Sequence, residues 1–510
     1  MTRGIRIIFL AAVLAAVACG TASAEKTFPV NDNNTGLFDQ PSAAQYGAVT
    51  HVAFIGDNTG TGAYKVYYAA INGSADFTNV NLVRDNTVIL TPATLIDNAA
   101  PVYADARHPK IAVRSATSSE TTLVILFQAK PTSTSDTAYR PFIARVTVAN
   151  NAVVSISVNE INGVTAGDVE DISFALLTTD NTARIVYGNR SAIGASEPFQ
   201  LFFARVGLDN ATATTPVAVT ASYPLSLGFR PIPSLALDDL NREHIAWAAT
   251  DNSGTNEGPV YYAMIKETNG IDNMVIAPTA VMTRAQMRWS FPAALVFNHS
   301  LITVLAADEV SGNLGYVQIN PDNARQNGGP LWDNVSVYNQ VLLVPPGEVI
   351  LPDNFSLFRP EAFYESLSGR IFLTGYGTSG ATFFSIKLNT AVASADFVTF
   401  PTQFSTTEPP SGIDNDYTKA AFGFPGAKVV VFWSGSVGTG NRNLDVTTVP
   451  TVAAWISSQE KGCSVAAGHS GVPGASAVRA LMLLLPAVVL CARRRYVRPP
   501  GAARREGLEG

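Results

Sequence analysis

Cysteine is the first scarcity: the 510 residues include 3, Cys19, Cys463 and Cys491, all near the chain ends. The long middle therefore has no disulfide and no cysteine metal site open to it. Histidine is nearly as rare. Its 5 positions, His51, His108, His244, His299 and His469, are too scattered to suggest a metal cluster. Charged residues make up only 15% of the chain, and the net charge of −6 with a pI near 5.5 argues against nucleic acid, since a polyanion needs a basic face.

What is plentiful points to one fold class. A hydrophobic fraction of 47% with 39 Gly and 30 Pro describes a turn-rich, all-β globular chain. One pattern recurs in it. His244-Ile-Ala-Trp247, a polar loop holding Asp251-Asn-Ser-Gly-Thr255, and Val260-Tyr-Tyr-Ala-Met-Ile265 together have a hairpin signature. His51-Val-Ala-Phe54, Asp57-Asn-Thr-Gly-Thr61 and Val66-Tyr-Tyr-Ala-Ala-Ile71 repeat it closely. Further copies open at Thr122, Arg184, Leu301, Arg370 and Lys428, with partner strands at 141–146, 199–206, 314–319, 382–388 and 444–449. Successive openings lie 57 to 71 residues apart.

A third strand precedes most copies and often opens on proline, at Pro109, Pro233, Pro292 and Pro360, where the missing N–H costs no ladder bond. The segments 88–95, 153–158 and 216–221 supply outer fourth strands. Seven units of four antiparallel strands make a β-propeller over residues 25–457. Two stacked sandwiches, a solenoid, and rings of six or eight blades are the alternatives. Lys26 to Val30, or Thr451 to Ile456, is expected to complete the terminal blade and cover its edge.

The ends read differently. Residues 1–24 have Arg3 and Arg6, an apolar run from Ile7 to Ala18 and Ala22-Ser-Ala24, the features of a secretory signal peptide cleaved after Ala24. Lipoprotein processing at Cys19 is the rival. Residues 458–479 form a Gly, Ala and Ser-rich linker containing Gly462-Cys463, residues 480–492 a hydrophobic segment, and residues 493–510 an Arg-rich cytoplasmic tail beginning Arg493-Arg494-Arg495. The apolar segment is short for a spanning helix, which needs about 20 residues. This tail resembles the tripartite C-terminal sorting signals of exported bacterial proteins, closest to the cysteine-containing Synergist and myxobacterial types. The resemblance implies an inner-membrane sorting protease as partner, cleavage near Cys463, and a mature body at the cell envelope or surface, anchored in the membrane at least transiently. A plain single-pass anchor is the alternative.

The repeats resemble sialidase-like and other carbohydrate-associated propellers, whose blades often carry a His-x-Ala-Trp-like strand and a Val-Tyr-Tyr-Ala-like strand. That resemblance implies an arginine triad holding a carboxylate on the central face. Arg107, Arg230 and Arg359 stand before the first strands of the second, fourth and sixth units and are the candidate binding residues. Their offsets from the aligned prolines are two, three and one residues, which works against convergence because side chains alternate along a strand. Surface or strand-capping arginines are the other reading. The Asp-box loops of the family are missing and no Tyr and Glu pair stands out, so no catalytic residue is assigned.

The Asp57 and Asp251 loops hold oxygen ligands of the kind Ca²⁺ takes, but Asx-turns account for the same residues and no cofactor is expected. His51 and His244 share one repeat position and read as packing residues. Trp247, Tyr261, Tyr262, Phe432 and Trp433 read as core between blades, with a sugar-binding face as the alternative. The expected function is that of an exported binding or scaffold module taking a carbohydrate or protein ligand on loops such as 98–108 or 223–231. A propeller-fold glycoside hydrolase or lyase acting on extracellular carbohydrate is the alternative, and a purely structural envelope component is a third reading.

Overall fold

The computed structural model describes residues 28–29, 37–57, 60–72, 89–132, 138–164, 167–177, 180–190, 200–220, 233–248, 260–282, 289–297, 301–308, 314–319, 321, 338–343, 362–365, 370–377, 380–389, 394–399, 420–423, 429–436 and 442–449. By its contacts the chain divides into Met1–Val452 and Ala453–Gly510, and the second unit lies outside the described residues. Among the described residues no helix is long and apolar enough to cross a membrane. The leader, the Gly462-Cys463 motif and the hydrophobic segment 480–492 all fall outside them.

The first unit is all β. A short β1 (Phe28–Pro29) precedes a meander of β2 (Leu37–Tyr46), β3 (Val49–Asp57), β4 (Lys65–Asn72) and β5 (Ile89–Leu95). The second sheet is β6 (Tyr103–Ala116), β7 (Glu120–Pro131), β8 (Arg140–Ala149) and β9 (Ala152–Glu160). The third is β10 (Asp168–Leu177), β11 (Thr182–Arg190), β12 (Gln200–Gly207) and β13 (Val217–Ala218). The fourth is β14 (Ser234–Leu237), β15 (Glu243–Ala248), β16 (Val260–Thr268) and β17 (Ile271–Met282). The fifth is β18 (Trp289–Phe297), β19 (Ile302–Asp308), β20 (Leu314–Ile319) and β21 (Tyr338–Leu343). The sixth is β22 (Ala362–Glu365), β23 (Arg370–Gly377), β24 (Gly380–Asn389) and β25 (Ser394–Thr399). Last come β26 (Ala420–Gly423), β27 (Val429–Ser436) and β28 (Arg442–Val449). The second to sixth sheets each run in sequence order with antiparallel neighbours, whereas β26, β27 and β28 join the first sheet beside β2.

The repeated hairpin is the second and third strand of each sheet. Its register brings aromatic residues opposite one another at the same rung of the first four sheets. Phe54 faces Tyr67, Phe127 faces Phe142, Tyr187 faces Phe202 and Trp247 faces Tyr261. The four ring pairs stack with centroids 5.9, 5.7, 5.8 and 5.7 Å apart. Such pairs add roughly 0.5–1.5 kcal/mol each beyond the area they bury.

The cores lie between sheets. Tyr68, Ile125 and Phe142 pack across the first and second sheets, and Leu126 with Ile185 across the second and third. Phe203 packs with Trp247, and Tyr262 with Val304, across the next two junctions. The series then returns on itself. Val430 and Phe432 of β27 bury against Phe38, Val52 and Phe54 of the first sheet. Gly56 makes this possible, because a β-carbon there would stand 2.5 Å from the Phe38 ring. Sheets that follow one another side by side and close last on first have β-propeller organisation.

Two details correct the sequence reading. Two of the four expected strand-opening prolines do not open their strands: Pro109 and Pro292 lie inside β6 and β18, as Pro41 does in β2, where the register shifts. Pro233 directly precedes β14, and Pro360 is outside the described residues. A bulge tolerates the missing N–H as well as a strand start does. Arg107 consequently lies within β6 rather than before it.

Of the two candidate closing segments, the first pairs with the last strand, β28, and Thr451 to Ile456 lies outside the described residues. Phe28 and Pro29 pair with Val446 and Asp445 of β28, and Leu37 of β2 makes a parallel pair with Arg442. Removing residues 25–30 strips the outer edge of β28. The shortened protein is expected to lose about 1–2 kcal/mol in denaturant unfolding, from ladder bonds worth about 1 kcal/mol each, and to self-associate through the bared edge in size-exclusion chromatography.

Candidate functional site

The bulges of β2 and β6 lie side by side and lock each other. Gln40 and His108 each precede a proline, and each has a positive φ, 54° and 53°. A residue before proline is normally driven to extended backbone, so both conformations are strained. Hydrogen bonds hold them: the Gln40 N–H donates to its neighbour Asp39 Oδ1 at 2.8 Å, and the His108 N–H donates to Gln40 Oε1 at 2.6 Å.

From this frame β6 presents Arg107. Its Nε donates to Gln128 Oε1 at 2.7 Å, its Nη2 reaches the Val169 carbonyl of the third sheet at 3.4 Å, and its guanidinium lies 3.6 Å over the Tyr139 ring. Because an arginine Nε only donates, the Gln128 oxygen must face it. The same oxygen lies 3.1 Å from His108 Nδ1, which therefore carries the proton. Gln128 is fully buried, and its amide nitrogen has no acceptor among the described residues. A buried donor without a partner is rare enough to mark a place for a water or ligand oxygen.

The carboxylates around this cluster are engaged by their own chain. Asp105 accepts from the Tyr64 N–H at 3.0 Å, from Tyr139 Oη at 2.6 Å and from Lys130 at 3.0 Å. Asp168 pairs with Arg190 at 3.1 Å and accepts from the Tyr139 N–H at 3.3 Å. The result is a rigid end of the first three sheets, with cationic and amide donors held in place and carboxylates already spent.

Of the arginine set, the structure places Arg107 in this cluster. Arg230 and Arg359 lie outside the described residues, as do Ala24, Gly462, Cys463, Arg493, Arg494 and Arg495. The stretch proposed as a ligand loop at 98–108 is strand from Tyr103 onward, and 223–231 is outside the described residues. Asp57 spends its carboxylate on the Gly60 and Gly62 N–H groups at 2.9 and 2.7 Å, which is Asx-turn chemistry. The matching loop at 251–255 is not described.

His51 and His244 take one geometry in two sheets. Each Nδ1 lies 2.7 Å from a tyrosine Oη, of Tyr68 and Tyr262, and each imidazole stacks on that tyrosine. All four side chains are buried.

The sequence reading missed a second polar cluster between the third and fourth sheets. Buried Arg184 holds Asp180 with two nitrogens, at 3.0 and 2.7 Å, and reaches Glu243 across the junction at 3.2 Å. Nearby, Asp238 pairs with Arg242 and with His244 Nε2 at 3.2 Å. Burial outweighs the Arg184 contact and pushes the Glu243 carboxyl up to about 7, while hydrogen bonds from His244 and Arg242 overcome burial and hold Asp238 far below the usual carboxylate range. The signal in sequence was a charge, Arg184 or Glu243, opening an otherwise apolar inner strand.

No protein-family model and no curated protein matches the sequence. Solved structures show similarity in three dimensions. A Hadza microbial sialidase has a TM-score of 0.41 at 10% identity, over 79% of this chain and 76% of its own. The β-propeller domain of the Trilobed protease from Pyrococcus furiosus has a TM-score of 0.38 at 9% identity, over 81% of this chain and 95% of its own. An endo-arabinase from Bacteroides thetaiotaomicron has 0.31 at 10% identity, over 58% of this chain and 92% of its own.

The Glu243 shift makes a pH prediction. A carboxyl whose folded pKa is raised from 4.5 to about 7 contributes stability that is complete below pH 4.5 and lost as pH climbs through 7. That loss is about 3 kcal/mol at most. His51, pushed down to about 4 by burial, works in the opposite sense, its contribution lost as pH falls below 6.5. Urea unfolding of Glu243→Gln at pH 4.5 and 7 is therefore expected to show the variant gaining on the parent protein as pH rises. A pH-independent difference would show that Glu243 stays ionised beside Arg184.

Proposed function

We propose that this chain is an exported β-propeller of seven four-stranded blades that serves as a binding module at the cell envelope. In this reading β1 is the fourth strand of the blade formed by β26, β27 and β28, and the C-terminal tail directs sorting through its Gly462-Cys463 motif and Arg493–Arg495 cluster. The ligand seats against the bulged first strands β2 and β6 around Arg107, at the end where Gln128 keeps a buried amide donor without a partner among the described residues. That donor, beside a guanidinium pinned by Gln128 and Tyr139, is the observation that carries the reading. Preorganised donors recognise oxygen-rich ligands such as carbohydrate without having to be ordered on binding.

The alternative, a glycoside hydrolase, needs two carboxyl groups flanking an open position, one to shuttle a proton and one to attack or activate water. Asp105 and Asp168 already accept hydrogen bonds from tyrosine, lysine, arginine and backbone donors of their own chain, which favours binding over turnover. Calorimetric titration with neutral and acidic oligosaccharides, run alongside a reducing-sugar assay, separates the readings. Binding without product is expected, weakened about 10- to 100-fold in Arg107→Ala, the loss of one charge-assisted hydrogen bond. Product release abolished by the same substitution would install the hydrolase instead. No ligand anywhere in the panel would favour a purely structural envelope role.

A further inference from the structure

A second grouping of cations lies toward the other end of β6. Arg114 is seven residues beyond Arg107, about 23 Å along an extended strand. Arg114 of β6 and Arg145 of β8 both reach from the second sheet to the turn that follows β12 in the third. They converge on one atom: Arg114 Nη2 lies 3.1 Å and Arg145 Nη1 3.3 Å from Asp209 Oδ1. Asn181 donates its side-chain amide to Oδ2 of the same carboxylate. Each guanidinium uses one nitrogen in this way, with no other hydrogen bond among the described residues. Both arginine side chains are partly open to solvent, at 24% and 30%, and Asp209 is 64% exposed.

Two guanidinium groups sharing one oxygen repel each other unless an anion lies between them, so the cradle requires a negative charge. Asp209 provides it, with the Arg114 hydrogen bond holding its carboxyl below the usual range. Yet it is a displaceable partner, since exposed ion pairs are weak and screened by salt. The turn beneath it does not have to move. Its backbone is fixed by Ala211 N–H to Gly207 O at 3.0 Å and Gly207 N–H to Thr212 O at 2.9 Å, around an alanine held at φ 51°. Rotation of the Asp209 side chain alone would empty the cradle toward solvent.

We propose that Arg114, Arg145 and Asn181 form a binding site for an external oxyanion, a carboxylate or sulfate group of an acidic ligand, which Asp209 fills as a built-in stand-in until that ligand displaces it. The site is independent of the Arg107 cluster and of the function assigned to it. Planar carboxylate and tetrahedral sulfate both match arginine donors, and the probes distinguish them.

The experiment follows melting temperature in rising sulfate or acetate at constant ionic strength, since a ligand that binds only the folded state raises it. Asp209→Ala is expected to respond at a concentration of sulfate or acetate at least about 10-fold lower than the parent protein, a difference of about 1.4 kcal/mol. Asp209→Asn, which keeps the size of the side chain, is expected to do the same and guards against a turn that fails to form in the alanine variant. The anion that binds tighter names the ligand group. Adding Arg114→Gln and Arg145→Gln to Asp209→Ala is expected to abolish the gain. The proposal is overturned if both Asp209 variants respond as the parent does, or if the gain survives loss of the two arginines.

Discussion

The pairing of second and third strands is the constraint on which the rest depends. At one rung of it, in four consecutive sheets, an aromatic residue stacks on its cross-strand neighbour. A two-stranded ribbon is marginal in water, so each hairpin is stable only by burying both faces against its neighbours. The clusters joining Tyr68 to Phe142, Leu126 to Ile185, Phe203 to Trp247 and Tyr262 to Val304 are those burials. Val430 and Phe432 packing on Phe38 and Phe54 give the last hairpin its second face and remove an end from the series.

The proposed binding role rests on what this packing leaves to the first strands. Relieved of filling the cores alone, β2 and β6 accommodate bulges at Pro41 and Pro109, and the bulges point polar residues at one another. Strained backbone at Gln40 and His108 persists because Asp39 and Gln40 side chains bond it in place. Arg107 inherits that rigidity through Gln128 and Tyr139. A binding surface built on such a frame pays little ordering entropy when a ligand arrives.

The hairpins were legible because their β-branched and aromatic runs recur along the chain: the predicted openings at His51, Thr122, Arg184, His244, Leu301, Arg370 and Lys428 fall within two residues of the starts of β3, β7, β11, β15, β19, β23 and β27. Local pattern suffices where one strand follows its partner directly. The bulges were not legible, because a proline inside a strand and one at its start look alike without the partner's register. Nothing in the sequence singles out Gln128, and only its place between Arg107 and His108 gives it meaning. Glu243 and Arg184 belong to different sheets, so their pairing had no periodicity to betray it. The junction of Phe28 and Pro29 with β28 joins opposite ends of the unit, and sequence narrowed it to two candidate segments without choosing.

The central claim is that these sheets form one closed, mutually supported series rather than separate small units. Native-state hydrogen exchange on Trp247→Ala tests it most directly. The substitution empties a fully buried site in the fourth sheet and costs about 3–5 kcal/mol. In a closed series the slow amides of β3, β7 and β11 lose protection together with those of β15, because all report one global opening. Loss confined to β14–β17, with the first sheet unchanged, would contradict the account.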